Sequence, residues 1–586
     1  MFDKNTLIAF ILIALVIIFM PLFQRQTLEE PSSVADKVET ETAPTRQDSL
    51  VPVTIPAESR TLESNVWARH VSPTEMPVEK KELVFSTENF FLTLSNLGGG
   101  TITQFRFKKY TTHKGDLVHL LKPEAMGNLG LEFPLSETEN LNFNTIPFHS
   151  SLYEKYGHLD TVIVQEPLQL TFSLNTGENL KITRTFTFDP EDYTFDLVVS
   201  LENYISQSPN MMYTINWYDG FAITERNPDD DLMYSYVYSK VGDELTKLQL
   251  KEKEQRLSTD GDAQWVALRS KYFLASIIAE SNSGIRADLY GIRTKKERFF
   301  TASLFMRLPL KDHHEDHFKI VIAPLDESYL TSLGYGHEHV MNWGWKIIKP
   351  LSVGILKLLK FMNSFIPNYG VILLIFSLLI KIILYPLTHK SYESMKRMQE
   401  LQPLLMELRE KHANNPQALN QATMKLYKDY GVNPLGGCLP MLIQLPLLYA
   451  LFIIFRTTIE LRGASFIWWI QDLSSPDVVF TLPFSIPLYG KNVAILPIIM
   501  AITMIVQQKI SGGSQVNQQQ KIMMWIMPIF FLLIFNNFPS GLNLYYTSFN
   551  ILTILQQKFF INPSVHAKLK EQQEKIRQDQ KKIKKK

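Results

Sequence analysis

The sequence is poor in cysteine and in charge, and its charges nearly cancel. One cysteine, Cys438, is present among 586 residues. That excludes an internal disulfide framework and any multi-cysteine metal site, and no cysteine sits near the N-terminus to carry a lipid. Charged residues make up 20% of the chain, with Lys+Arg 59 against Asp+Glu 58. Whole-chain attraction to nucleic acid is therefore not expected, and DNA is not a partner. What the chain does have is 45% apolar residues, gathered in blocks, which is the pattern of a membrane protein joined to a soluble part rather than of a wholly soluble enzyme.

The N-terminus carries an apolar stretch from Leu7 to Met20 between Lys4 and Arg25. A cleavable signal peptide would need small residues after it, but Pro21, Leu22, Phe23 and Gln24 follow. Residues 1–23 are thus expected to be an uncleaved signal-anchor helix, with its start on the cytoplasmic side. Residues 24–82, rich in Pro, Ser, Thr and Glu, read as a flexible linker. From 83 to 325 the pattern turns to short alternating runs. Leu168, Leu170, Phe172 and Leu174 alternate with polar residues, then Ile182, Phe186 and Phe188, then Tyr193, Phe195, Leu197, Val199 and Leu201. Period two repeated across turns predicts antiparallel strands and a large all-β domain, a β-sandwich. Within it His313-His314-Glu315-Asp316-His317 invites a metal, but the spacing does not put both histidines on one helix face. It is read as a polar turn between strands Thr301–Leu308 and Phe318–Ile322, and His337 and His339 as loop residues.

Beyond Trp343 the apolar residues come in longer blocks. Trp343, Trp345, Lys346 and Lys349 with Ile347, Leu351, Ile355, Leu358 and Leu359 predict an amphipathic surface helix within a junction at 326–368. Candidate spans follow at Val371–Leu387, Leu435–Phe455, Val493–Val506, Ile522–Phe535 and Leu542–Phe560, six in all with the anchor. The 389–433 loop holds Lys390, Lys396, Arg397, Arg409, Lys411, Lys425 and Lys428, whereas 458–493 holds only Arg462 and Lys491. The first is therefore cytoplasmic and the second is not, which puts both termini in the cytoplasm and the β-domain outside. The 389–433 loop itself reads as a helical hairpin, Met395, Met398, Leu405 and Leu408 on one arm and Leu419, Ala422, Leu426 and Tyr430 on the other, broken at Asn414-Asn415-Pro416.

Two charged features remain. The tail 563–586 ends in Lys581, Lys582, Lys584, Lys585 and Lys586, a cluster suited to ribosomal RNA or anionic lipid, or to plain solvation on the cytoplasmic side. Lys381 sits inside a candidate span, where a charge facing lipid costs roughly 2.5–3.5 kcal/mol. It either snorkels about 12 Å to the cytoplasmic end or faces a hydrated cavity. Ser377 lies one turn before it on the same face, and Gln444, Tyr545, Tyr546 and Asn550 supply further polar groups at membrane depth. No P-loop, nucleophile triad or carboxylate relay accompanies them, so neither catalysis nor a cofactor is expected. A small-solute channel and an assembly scaffold are the rival classes.

Four segments carry a resemblance. Asn433-Pro434-Leu435-Gly436-Gly437-Cys438 running on to Pro446, Tyr385-Pro386-Leu387-Thr388, Trp469-Ile470-Gln471-Asp472-Leu473, and Phe538-Pro539-Ser540-Gly541-Leu542 before Tyr545-Tyr546 make residues 340–562 similar to the YidC/Oxa/Alb family of membrane-protein insertases, in the form found in Gram-negative bacteria. The resemblance implies a polytopic α-helical inner-membrane protein with a five-helix insertase core at 369–562, a hydrophilic groove closed to the periplasm, and a β-rich periplasmic domain. It also implies nascent membrane proteins as clients, the lipid bilayer as destination, and action alone or with the Sec translocon, with the ribosome a partner for the basic tail. The family's essential groove cation, usually arginine, falls on Lys381. That is a departure, since a desolvated lysine can lose its proton and arginine effectively cannot.

Overall fold

The computed structural model describes residues 80–560 apart from 123–126, 137–138, 177–178, 295–296, 414, 433–438, 488 and 513–517. The anchor 1–23, nearly all of the linker, the tail lysines and the Asn433–Cys438 part of the sequence motif lie outside the described residues. The chain divides into two units between Pro324 and Leu325.

The first unit is built on strands. β1 (Glu82–Ser86), β2 (Phe90–Ser95), β3 (Thr101–Thr111), β4 (Leu117–His119) and β7 (Val162–Ile163) make a five-stranded sheet in the order β4-β3-β2-β1-β7, antiparallel except for the β1–β7 pair. A second, larger sheet contains β8 (Leu168–Asn175), β9 (Lys181–Phe188), β10 (Thr194–Glu202), β15 (Phe273–Ala279) and β18 (His313–Pro324), adjacent in the order β15-β18-β10-β9-β8. Rings join the two sheets face to face: Phe107 of β3 stacks on Phe273 of β15 at 4.7 Å, and Phe85 of β1 on Phe188 of β9 at 6.1 Å. Each buried ring contributes roughly 1.5–3 kcal/mol. The two-layer arrangement is thus the one that period two requires, because residues at i and i+2 share a face. Along β9 the burial alternates without a break from Ile182 to Phe188, and the buried side includes Arg184.

One expectation fails here. His313–His317 is not a turn but the first half of β18, paired with β10 from Leu201↔His314 to Val198↔His317. Asp316 is buried and accepts from the Tyr213 hydroxyl (2.7 Å) and Asn282 Nδ2 (2.8 Å), with His314 Nε2 at 2.8 Å. Those partners let a polar run enter a strand, since a buried carboxylate is tolerated once it is hydrogen-bonded. Among the described residues no cluster of His, Cys, Asp and Glu has the geometry to hold a metal ion.

The second unit is helical. Among the described residues the first unit has two short helices, α1 (Leu152–Tyr156) and α2 (Pro228–Met233); here follow α3 (Glu327–Ser332), α4 (Lys349–Asn363), α5 (Tyr369–Ile383), α6 (Tyr385–Glu400), α7 (Gln402–Lys411), α8 (Pro416–Asp429), α9 (Leu439–Thr457), α10 (Ile495–Gly512), α11 (Gln518–Phe535) and α12 (Ser540–Leu555), the last running into a π-turn at Gln556–Phe560. The helix expected from Trp343 starts at Lys349; Trp343 is buried, and so are Ser352, Ile355, Leu356 and Leu359, whereas Leu351 is exposed. His337 sits in a short 3₁₀ turn, fully buried, and His339 is exposed.

The segment expected to run straight from Val371 to Leu387 is bent by 69° between α5 and α6. Pro386 in the first turn of α6 is the local reason, because proline cannot donate to the turn before it. Among the described residues no single helix is long and apolar enough to cross a membrane, while α5 and α6 together meet that length and composition. The 389–433 loop forms the expected hairpin with one change. Its first arm breaks at Leu401, the residue between α6 and α7, and Leu401 is buried against Tyr430 and Val432, with Met398, Leu404 and Leu426 packed around. Asn415 caps α8 by accepting from the Ala418 amide at 3.0 Å, and Gly431 at φ +61° closes the loop beyond α8. A two-stranded hairpin, β19 (Val478–Ile486) with β20 (Gly490–Ala494), occupies the loop before α10 and was not anticipated.

Candidate functional site

Lys381 comes from the last turn of α5 and meets α12. Its Nζ donates to Thr553 Oγ1 at 2.7 Å, and the Thr553 hydroxyl in turn donates to the Phe549 carbonyl at 2.7 Å. The ammonium also lies 4.6 Å from the centre of the Phe549 ring and 5.4 Å from that of Tyr392 in α6. Aromatic faces attract a desolvated cation, by about 2 kcal/mol or more in such settings. The residue is 5% exposed. Lys381 thus faces protein and does not snorkel, but rings and a hydroxyl close over it where an open hydrated space was expected. Among the described residues it forms no ion pair with a carboxylate.

Ser377, one turn earlier, shares a 2.7 Å bond with Ser548 of α12 and donates to the Leu374 carbonyl. The α5–α12 seam therefore carries two polar contacts, 377 with 548 and 381 with 553. The other residues singled out from the sequence lie around α12 rather than in one cluster. Gln444 of α9 donates to the Tyr545 hydroxyl at 3.0 Å, and Tyr545 is ring-packed with Phe376 of α5 at 5.8 Å. Asn550 turns to α10 and donates to Thr503 at 3.3 Å. Tyr546 is half-buried against Phe531 and Phe535 of α11. α12 is the common element, touching α5, α9, α10 and α11 through successive side chains. Ser548, Thr553, Thr503 and Tyr392 were missed. The signal was there for two of them, since Ser548 and Thr553 are small hydroxyl residues in the same apolar span that yielded Asn550.

The frame around this seam is tied at its far end. Ser540 and Gly541, opening α12, bond through their amides to the Ser475 and Leu473 carbonyls (2.8 and 2.9 Å), and Ser540 Oγ reaches the Asp472 carbonyl. Gly541 lies against the Phe455 ring of α9 and Gly370 against Phe466, positions where a Cβ would collide. Two separated sequence motifs, Trp469–Leu473 and Phe538–Leu542, are thus one joint. On α4, Lys360 bridges Asp326 (3.1 Å) and Glu460 (3.0 Å). Burial alone would lower the Lys360 ammonium, but Glu460 and Asp326 outweigh it and hold it above its ordinary value.

Known proteins locate this arrangement. Residues 82–353 match the family described as the YidC periplasmic domain, and residues 361–568 the family described as the 60Kd inner membrane protein. The two matches set the class: an inner-membrane protein whose β-rich periplasmic domain precedes a helical part. The membrane protein insertase YidC of Prosthecochloris aestuarii is 35% identical over 569 residues, 96% of this chain and 94% of that protein, and its counterpart in Chlorobium phaeovibrioides is 36% identical over 572 residues, 96% and 95% of the two. The chain belongs to the YidC family of membrane protein insertases, which is not a family of enzymes. An active YidC insertase solved with its first transmembrane domain resolved is matched over 85% of this chain and 97% of that one, at 18% identity and a TM-score of 0.36.

Proposed function

We propose that this protein inserts nascent membrane proteins into the inner membrane by admitting a short polar or acidic segment to the α5–α12 seam around Lys381. The observation that carries the reading is a lysine nine-tenths buried among apolar helices with a hydroxyl and two ring faces as neighbours and no carboxylate among the described residues. A buried cation so poorly compensated lowers stability, and it is retained at a cost only if something else uses it. An incoming carboxylate or backbone carbonyl would replace part of its own lost hydration on Lys381, Ser377, Ser548 and Thr553. Tyr546, Gln444 and Asn550 extend the polar lining on neighbouring faces of α12. The client's apolar residues then leave sideways along α9 and α11 into lipid, and their partition drives the step. No covalent chemistry, cofactor or nucleotide is involved.

The same reading sets the topology: an N-terminal signal anchor and five core spans, both termini cytoplasmic, the β-unit periplasmic and the 389–433 hairpin cytoplasmic. The chain also acts as a chaperone of these clients, alone or beside the Sec translocon, and the basic tail meets the ribosome or anionic lipid. Site-specific photocrosslinking from positions 377, 381 and 546 during translation of a single-span client tests the core of it. Adducts to the nascent chain are expected from the first two and, more weakly, from the third. Adducts from none, with the client still inserted, would leave the seam without a role. Deleting 564–586 is expected to weaken ribosome binding at low salt and flatten its salt dependence, and unchanged binding would remove that partner from the tail.

A further inference from the structure

The hairpin β19–β20 has no part in the seam. Its strands register Phe480 opposite Val493 and Thr481 opposite Asn492, with irregular stretches either side. A two-stranded hairpin is marginal alone in water, and this one leaves Val479, Phe480 (58% exposed) and Phe484 (59%) uncovered. Its base is nonetheless rigidly held. Asp477 accepts from the Ile495 and Leu496 amides at the start of α10 (3.2 and 2.8 Å) and from the Trp469 indole at 3.0 Å. Asn536, at the end of α11, accepts from the Ala494 amide (3.0 Å) and donates to the Tyr489 and Asn492 carbonyls (3.0 and 2.5 Å). Trp468, stacked on Trp469 at 5.8 Å, is 79% exposed beside this base and held at φ +50°.

We infer that the β19–β20 hairpin and Trp468 dip into the lipid of the extracytoplasmic leaflet, anchoring the outer rim of the helical unit. The inference rests on the reading of α10 and α11 as membrane spans. Given that reading, the hairpin is fastened to one end of each, at the depth of the headgroups, where aromatic side chains concentrate. Its charge fits the same occupant: between residues 478 and 494 the sole charged residue is Lys491, exposed and matched to lipid phosphate, with no carboxylate to be repelled. Apolar side chains standing out of an otherwise neutral hairpin are covered by acyl chains at no loss of its ladder bonds. A soluble partner would instead be expected to meet some charge to pair with.

The test is spin-label accessibility in the full chain, reconstituted in vesicles of phosphatidylethanolamine and phosphatidylglycerol. Nitroxides are placed by F484C and, separately, V479C in a C438S background, with I529C on the exposed side of α11 as the span reporter and D243C in the β-unit as the aqueous reporter. Both hairpin labels are expected to favour collisions with oxygen over those with a nickel chelate, as I529C does and opposite to D243C. Nickel-dominated collisions at both hairpin sites, with I529C still oxygen-dominated, would overturn the anchor and leave the membrane reading standing. Nickel-dominated collisions at I529C as well would overturn both. Poor access of either reagent at 484 and 479 would mean that protein covers the hairpin, and would also overturn lipid as its occupant.

Discussion

Arg184 in the β-unit and Lys381 in the helical unit are both buried basic residues, and among the described residues neither forms an ion pair. Their surroundings differ. Arg184 is fully buried and donates to the Gly98 carbonyl at 2.5 Å and the Leu129 carbonyl at 2.7 Å. Gly98, Gly99 and Gly100 all have positive φ, and so does Leu129 at +66°. The guanidinium thus ties together two tight backbone segments whose carbonyls would otherwise face the core without partners. Burial pushes its pKa down to about 10, which still leaves it charged at neutral pH. Lys381 has one hydroxyl instead of two carbonyls, and that hydroxyl belongs to a side chain already donating elsewhere. A planar fork with five donors and fixed backbone acceptors locks a fold in place; a lysine set among rings and hydroxyls has no such fixed acceptors to hold it. The comparison teaches that burial of a cation has opposite meanings depending on whether fixed backbone acceptors surround it.

The largest effect should come from breaking the first of the pair. Arg184→Met leaves two buried carbonyls unsatisfied at about 1–3 kcal/mol each, so the urea midpoint of a fragment spanning 80–324 should fall by an amount worth roughly 2–6 kcal/mol. A loss below about 1 kcal/mol would mean the clamp is dispensable and the contrast with Lys381 unsound. Lys381 should behave the other way round. Lys381→Met is expected to leave thermal unfolding unchanged or improved, because an uncompensated charge is removed. Insertion of a client with an acidic translocated tail should drop by about tenfold or more, the factor that about 1.4 kcal/mol represents. Lys381→Arg should be tolerated, Lys381→Glu should be worse than Met, and a matched neutral-tailed client should suffer least. Equal insertion of both clients by all variants would strip the seam of its charge-based role.

A third buried base sharpens the contrast, because burial there leaves no charge at all. His337 is held down to about 3 by burial, against an ordinary value of 6.5. Between those values the unfolded chain binds a proton that the folded one does not, so stability falls as pH drops below about 6.5 and the loss continues towards about 3. The slope is about 1.4 kcal/mol per pH unit, which gives roughly 2 kcal/mol between pH 7 and 5. His337→Gln should flatten the acid dependence of unfolding of the detergent-solubilised protein over that range, and an unchanged slope would place the sensitivity elsewhere. The smallest effect belongs to Lys360, a partly exposed cation with carboxylate partners. Lys360→Met leaves Glu460 buried and unpaired, so unfolding should ease by about 1–2 kcal/mol, and adding Glu460→Gln should recover most of it. Failure of the double substitution to recover stability would point to lost packing of the Lys360 stem instead.

How much of the molecule is legible in its sequence depends on the range of the interaction concerned. Strands β8, β9 and β10 were legible because alternation is local, yet Arg184 was passed over: it stands on the buried side between Ile182 and Phe186, and only its distant partners Gly98 and Leu129 make that position acceptable. The polar run His313–His317 reads as a turn for the same reason, since Tyr213 and Asn282, which share Asp316, are far away in the chain. In the helical unit the apolar blocks marked α9 to α12, and Asn415 with Pro416 marked the hairpin. The bend at Leu384 was not seen, although Pro386 stood next to it, because an apolar run reads as continuous whatever its axis does. Ser377 and Lys381 were found together as neighbours on one helix face. That Gln444 answers Tyr545, Asn550 answers Thr503 and Tyr546 turns to α11 could not be read, since helix rotation is set by packing.

By itself, then, the sequence determined that the chain has a β-rich part and an apolar helical part, where the amphipathic hairpin falls, which family motifs are present, and that a lysine lies deep in an apolar segment. These follow from periodicity, turn residues and composition, all of which act over a few residues. Only the tertiary structure decided what the buried cations touch: two carbonyls for Arg184, Thr553 and two rings for Lys381. It also decided that Trp469–Leu473 and Phe538–Leu542 form one joint, and that a hairpin with bare phenylalanines is strapped to the ends of α10 and α11. Those outcomes depend on the rotation and approach of elements far apart in the chain, which side-chain packing sets and local pattern does not encode.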